Sequence, residues 1–131
     1  YYFQPILEII NFMDNNNALS NYNDIYMFGT GPGGWATTVY SAMDTRIKYS
    51  AAASGSIPLY SRGVQMEDYG HWEYYGADIY NQISYLDLYI LASEGKDRKH
   101  TEAYNEYNSY CYWGFKAQHY KKKRERNRDK Q

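Results

Sequence analysis

Asn23-Asp24-Ile25-Tyr26-Met27-Phe28-Gly29-Thr30-Gly31-Pro32-Gly33-Gly34-Trp35 decides the fold of this chain. Residues 23–28 are a short, mostly apolar and aromatic run of strand length, which predicts a buried strand. The run enters a turn at 29–34 that holds four glycines. From Trp35 the apolar positions switch to helical spacing, with Trp35, Val39, Ala42 and Met43 on one side until about Asp44. A strand that ends in a glycine-rich turn and opens a helix is where α/β proteins place chemistry. Strand C-termini and the unpaired N–H groups of the helix start converge there.

Upstream, residues 4–14 set Ile6, Ile9, Ile10 and Met13 at helical spacing, with Pro5 acceptable in a first turn and Asn15-Asn16-Asn17 as the stop. Downstream, Ile47–Ala53 is a second apolar run of strand length, closed by Ser54-Gly55-Ser56 and Pro58. Residues 60–78 show no clean period and read as an irregular, aromatic-rich excursion. A long helix is predicted over 77–93, with Ile79, Ile83, Leu86 and Ile90 on one face and Gly95 after its end. Residues 100–108 form a weaker third strand, since their alternation is polar. The order predicts an α/β domain over 1–115: a parallel sheet of about three strands with flanking helices, and no internal repeat. A basic tail over 116–131 follows.

The chain has 131 residues, enough for one domain with a real core. Its 18 tyrosines predict a core that is hydrogen-bonded as well as apolar, because each buried ring brings a hydroxyl that needs a partner. A net charge of −1 hides an asymmetry. Residues 116–130 carry eight Lys/Arg against Glu125 and Asp129, or +6, while the remainder carries six basic and thirteen acidic residues, or −7. Such a tail suits solvent, an acidic protein neighbour, or a nucleic-acid or other anionic partner bound in a salt-dependent way, with Tyr110, Tyr112, Trp113 and Tyr120 able to stack on bases. The single Cys111 excludes an internal disulfide and a Cys-rich metal site. No apolar run reaches membrane-spanning length, and Tyr-Tyr-Phe-Gln-Pro has no signal-peptide character, so an intracellular protein is expected.

Two motifs fit the turn. Gly29, Gly31 and Gly34 match G-x-G-x-x-G, which brings backbone close to a pyrophosphate. That reading needs a carboxylate at the end of the next strand, where the chain has Ser54-Gly55-Ser56, and Asp44 lies too early. The other motif is the nucleophile elbow, G-x-S-x-G, with Gly31 in place of serine. Here the sequence resembles the bacterial α/β-hydrolases of the esterase/peptidase kind. The similarity runs through residues 24–38, then Ala42-Met43-Asp44-Thr45-Arg46-Ile47-Lys48, Ala53-Ser54-Gly55-Ser56-Ile57-Pro58-Leu59-Tyr60 and Tyr85-Leu86-Asp87-Leu88-Tyr89-Ile90-Leu91, about residues 5–113 in all. It implies a central sheet of about eight strands, of which this chain offers about three, and a Ser-His-Asp triad.

Carried onto this sequence, the resemblance implies loss. The nucleophile position is Gly31, which has no side chain, and the residue expected to donate an oxyanion N–H is Pro32, which has none. The acid position falls on Asn108, with Glu106 two residues away, and the only downstream histidine is His119, within the basic run. Thr30 is one residue from the tip, so its hydroxyl is aimed elsewhere. Gly29, Thr30, Gly33, Gly34 and Trp35 remain as candidate binding positions around the turn. Glu67, Asp68, His71 and Glu73 match no zinc spacing, so neither a metal nor a cofactor is expected. Asp87 reads as a cap partner or a surface charge rather than a catalyst, and His100 as a strand-edge histidine. Three functions follow in order: a catalytically silent hydrolase-like domain serving binding or assembly, a fragment or altered form of a serine esterase or peptidase, and a nucleotide-binding module. With two bare sheet edges, a second protein chain or self-association that completes the sheet is the expected partner.

Overall fold

The computed structural model describes residues 2–16, 21–62, 72–105 and 112. Its order is α1 (Gln4–Asn15), β1 (Ile25–Thr30), α2 (Pro32–Met43), β2 (Ile47–Ala53), α3 (Ala77–Tyr80), α4 (Tyr85–Ser93) and β3 (Lys99–Ala103), with single 3-10 turns at Leu59–Ser61 and Trp72–Tyr74. The strands form one parallel sheet in the order β1-β2-β3, so the expected α/β class holds and β1 and β3 are its edges among the described residues.

Period two along the strands divides the sheet into unlike faces. Met27, Gly29, Ser50, Ala52, His100 and Glu102 share the face packed by α2 and α4. Ser50 and Ala52 are fully buried, and their small side chains let α2 lie close. The other face carries Tyr26, Phe28 and Thr30 on β1, Tyr49 and Ala51 on β2, and Thr101 on β3. Tyr26 is 59% and Phe28 64% exposed. The expectation that β1 is a wholly buried strand is therefore corrected: the helices α2 and α4 lie on one face, and the aromatic half of β1 looks away from them.

The predicted helix over 77–93 is two helices. Ser84 interrupts it as an N-cap: its Oγ accepts from the Asp87 N–H at 3.2 Å, and the Ser84 N–H donates to Asp87 Oδ2 at 2.9 Å. This reciprocal box starts α4 afresh and makes Asp87 a cap partner, as expected. The Ser84 Oγ–H, 2.7 Å from Asp87 Oδ2, and then the Ser84 N–H hold the Asp87 carboxyl below its usual range. The restart also rotates the buried face. Tyr85, Leu88, Tyr89 and Ala92 face the core, whereas Ile79 and Ile90, expected on the apolar side, are exposed. Ile9 of α1 is likewise exposed, while Ile10 is buried against Tyr40 and Ile47.

The larger core cluster is aromatic: Trp35, Tyr74, Tyr80, Tyr85 and Tyr89 with Leu88. Its polar atoms are used internally, as the tyrosine content predicted. Trp35 Nε1–H donates to Tyr80 Oη at 2.9 Å, and Tyr85 Oη–H lies 2.9 Å from the Tyr74 carbonyl. Arg98, 8% exposed, closes the far end of the domain. Its guanidinium donates to the carbonyls of Ser41 and Asp44 at the end of α2, Leu91 and Glu94 at the end of α4, and Ile47 in β2. A cation there suits the negative ends of two helix dipoles.

Candidate functional site

The turn is tighter than its sequence suggested. β1 continues through Gly29 and Thr30, and α2 begins at Pro32, so the reversal is made by Gly31 alone. Proline's fixed φ and missing N–H suit a first helical position, which is why the helix starts three residues ahead of the apolar period. Gly31 has φ 53° and ψ −124°, a conformation open to glycine and strained for any side chain. Its N–H donates to the Ala53 carbonyl at 2.9 Å, tying the tip to the end of β2, and its carbonyl accepts from Trp35 N–H at 3.0 Å.

The order strand, one-residue reversal, helix is the one a nucleophile elbow uses, and Gly31 spares the turn the strain a side chain would bring. At its tip, however, there is no reactive atom. Thr30 stands on the exposed face with Tyr26 and Phe28, pointing away from the helix side. Pro32 and Gly33 are exposed, and Pro32 has no N–H to offer an oxyanion. Gly34 is buried where α2 touches the turn after β2: a Cβ there would lie 2.9 Å from Gly55 Cα, and one on Gly55 would lie 2.3 Å from the Gly34 carbonyl carbon. Gly29 is also close-packed, against the Gly33 carbonyl. Trp35 is 4% exposed, its ring within the aromatic core. Of the seven turn residues singled out by sequence, Thr30, Pro32 and Gly33 form the open rim, Gly31 is half-buried at the tip, and Gly29, Gly34 and Trp35 build the fold beneath it.

Beneath the first turns of α2 lies a polar network the sequence did not disclose. His100 Nδ1 is 2.7 Å from Ser50 Oγ, and His100 Nε2 is 2.9 Å from Glu102 Oε1. The same carboxylate oxygen accepts from Thr38 Oγ1–H at 2.7 Å and Ser56 Oγ–H at 3.1 Å. Ser56 Oγ in turn lies 3.0 Å from Tyr89 Oη, and the Tyr89 ring stacks on the imidazole at 5.9 Å. Burial and the nearby Glu102 charge push the Tyr89 phenol well above its usual range, so it stays protonated and available as a donor. Among the described residues, Glu102 Oε2 is buried without a hydrogen-bond partner.

Serine, histidine and carboxylate are thus linked in the connectivity of a triad. The ring nitrogens are exchanged relative to a working one, with serine on Nδ1 and the acid on Nε2. Access decides the matter. Ser50 is fully buried, the His100 side chain is 2% exposed and that of Glu102 7%. No substrate carbonyl reaches Ser50, and the network acts as a buried polar layer, satisfied at Glu102 Oε1, that ties β2, β3 and α2 together. His100 does sit on an edge strand, but the expectation of an ordinary strand-edge histidine is corrected: its ring turns inward, because α4 covers β3 on that side. The signal in the sequence was the i, i+2 pair His100 and Glu102, which looked like polar alternation of a weak strand.

Asn108, Glu106 and His119, the acid and base candidates, lie outside the described residues, as do Glu67, Asp68, His71, Cys111 and the tail over 116–131. Among the described residues no three His, Cys, Asp or Glu side chains are grouped to hold a metal ion, and no helix is long and apolar enough to cross a membrane. No carboxylate follows β2 where a dinucleotide ribose would need one; Ser54-Gly55-Ser56 stands there, with Ser54 N–H bonded to the Ala103 carbonyl. A groove of about 630 Å³ lies at the opposite end of α2, lined by Phe3, Leu7, Tyr40 and Met43 beside Arg46. Arg46 is held there by Asp14 and Asp44, both at 2.6 Å, and the contact holds the Asp44 carboxyl below its usual range. No protein-family model, no curated protein and no solved structure matches this chain.

Proposed function

We propose that the chain is an α/β-hydrolase-like domain that is catalytically silent in this form and serves as a binding or assembly subunit. The observation that carries the reading is Gly31 at φ 53° and ψ −124°, on a strand–helix junction, followed by Pro32. The backbone has the shape that presents a nucleophile, while the residues remove both the nucleophile and one oxyanion donor. Losing one such donor costs about 10²–10³ in rate, and losing the nucleophile ends the covalent route. The serine of the buried Ser50–His100–Glu102 chain offers no substitute, since it is sealed from solvent. Among the described residues, an aromatic sheet face and two sheet edges without a partner strand support the binding role.

The test is hydrolysis of an activated ester by the purified chain, beside a Gly31→Ser variant and a serine-directed covalent probe. Silence and no labelling of the parent chain are expected. Turnover above the buffer rate, or a labelled serine in the parent, overturns the reading.

A further inference from the structure

We infer that two copies of this chain pack sheet against sheet through the bare face, about a two-fold axis running along β2. The inference rests on the reading of the chain as an assembly subunit and names its partner. Parallel α/β sheets are covered on both faces, and here, among the described residues, one face is left to solvent. Its two halves differ in size. β1 presents Tyr26 and Phe28, while β3, at the same levels, presents Lys99 and Thr101, with Ala103 beyond. Tyr49 lies between them, its ring 6.3 Å from that of Tyr26 and 5.8 Å from that of Phe28, and its hydroxyl 3.2 Å from Thr101 Oγ1.

A two-fold axis along β2 exchanges β1 with β3 and keeps strand direction. Phe28 of each copy then lies over the small Thr101 of the other, so the large half covers the small half. Charge selects the same arrangement. Asp24, against Tyr26 Oη at the leading end of β1, and Lys99, the first residue of β3, are both exposed, and neither has an ion-pair partner among the described residues. The axis sets each Asp24 at the same end of the face as the second copy's Lys99, twice per dimer, with Lys99 level with the Tyr26 ring. An axis across the strands reverses their direction and sends both charges to opposite ends, unpaired. Three strands of five to seven residues make a small face, so a dissociation constant of about micromolar order is expected.

The experiment is sedimentation equilibrium of the full chain from roughly 1 μM to 1 mM, with Asp24→Lys, Lys99→Asp, the double swap and Phe28→Glu. All three positions are exposed, and far-UV circular dichroism confirms that each variant is folded. The parent is expected to dimerise. Each single swap creates two like-charge contacts and weakens the dimer by about tenfold; the double swap restores it to within about threefold, and Phe28→Glu leaves a monomer. A parent that stays monomeric, a double swap no better than the singles, or a dimer indifferent to Phe28→Glu overturns the inference. A monomer that leaves the activated ester untouched removes the dimer and spares the silent-domain reading. A dimer that turns over ester does the reverse.

Discussion

Glu102 separates a structural network from a disguised active site. Its Oε1 accepts from Thr38 at 2.7 Å, His100 at 2.9 Å and Ser56 at 3.1 Å, all in a nearly closed space. In Glu102→Leu, Thr38 falls back on the Gly34 carbonyl, 3.2 Å away, and Ser56 on Tyr89 Oη, 3.0 Å away. His100 Nε2 has no such alternative. One to two buried donors are then orphaned, at about 1–3 kcal/mol each, so a loss of about 2–4 kcal/mol is expected. Glu102→Gln behaves differently. Its amide oxygen keeps the three donors but as a neutral acceptor, losing about 1 kcal/mol per bond. Against that stands relief from burying a carboxylate whose second oxygen is unpartnered, several kcal/mol by itself. The two nearly cancel, and a change within about 1.5 kcal/mol is expected. Urea unfolding followed by tyrosine and tryptophan fluorescence gives both numbers. If Glu102→Leu matched the parent to within 1 kcal/mol at unchanged m-value, the network would not be holding β3 to α2. If Glu102→Gln instead abolished a measurable esterase rate, the acid would be catalytic.

Arg98→Lys is expected to cost about 2–3 kcal/mol and Arg98→Ala about 3–5 kcal/mol, because three ammonium donors cannot reach five carbonyls on three elements; thermal melts with equal values for Lys and Arg would refute the clamp. The Tyr40 phenol, buried and bonded to Asp44 at 2.9 Å, is pushed up to about 12 from the ordinary 10. A folded-state value above the unfolded one means stability is fully present below pH 10 and falls as pH rises from about 10 to about 12; Tyr40→Phe flattens that slope in denaturant titrations. Asp44, held low chiefly by Arg46, contributes with the opposite sign. Its stabilisation is present above the unfolded value of 3.8 and is lost as pH falls below it, and Asp44→Asn removes that acid sensitivity. Gly34→Ala is expected to cost several kcal/mol, since its Cβ meets backbone at Gly55 and Ala53 rather than a movable side chain.

The sequence disclosed whatever depended on one segment at a time. Ile47–Ala53 was legible to the residue because its apolar run is bounded by charge before and Ser-Gly-Ser after. The first helix was legible because proline, apolar spacing and asparagines agree. Failures came where a second segment decides. Asp87 was legible as a cap partner, but Ser84, three residues before it, was not read as the cap that restarts the helix, because an isoleucine stripe at helical spacing outweighed it; the stripe proved half exposed because tyrosines, with larger rings, took the core side of α4. His100 and Glu102 looked like a poor strand because their partners Ser50, Thr38 and Ser56 come from three other places in the chain. The bare face of β1 was invisible for the same reason: Tyr26 and Phe28 suit a buried strand equally well until the helices choose the other side.

That division bears on the elbow. A serine at φ 53° holds strain that only function explains, but glycine there costs almost nothing. What keeps the turn in shape is packing: Gly34 against Gly55, Gly29 against the Gly33 carbonyl, and the Gly31 N–H on Ala53. None of these contacts involves a nucleophile. The strand–turn–helix backbone therefore needs no nucleophile to hold it, and the same crossing of α2 over the end of β2 roofs the Glu102 network through Thr38. Gly31→Ser tests the separation directly. It places a hydroxyl at a tip whose shape does not depend on one, at a strain cost of about 1–3 kcal/mol. It remains without turnover, because Pro32 still offers no N–H and the imidazole of His100 stays engaged beneath the sheet's covered face.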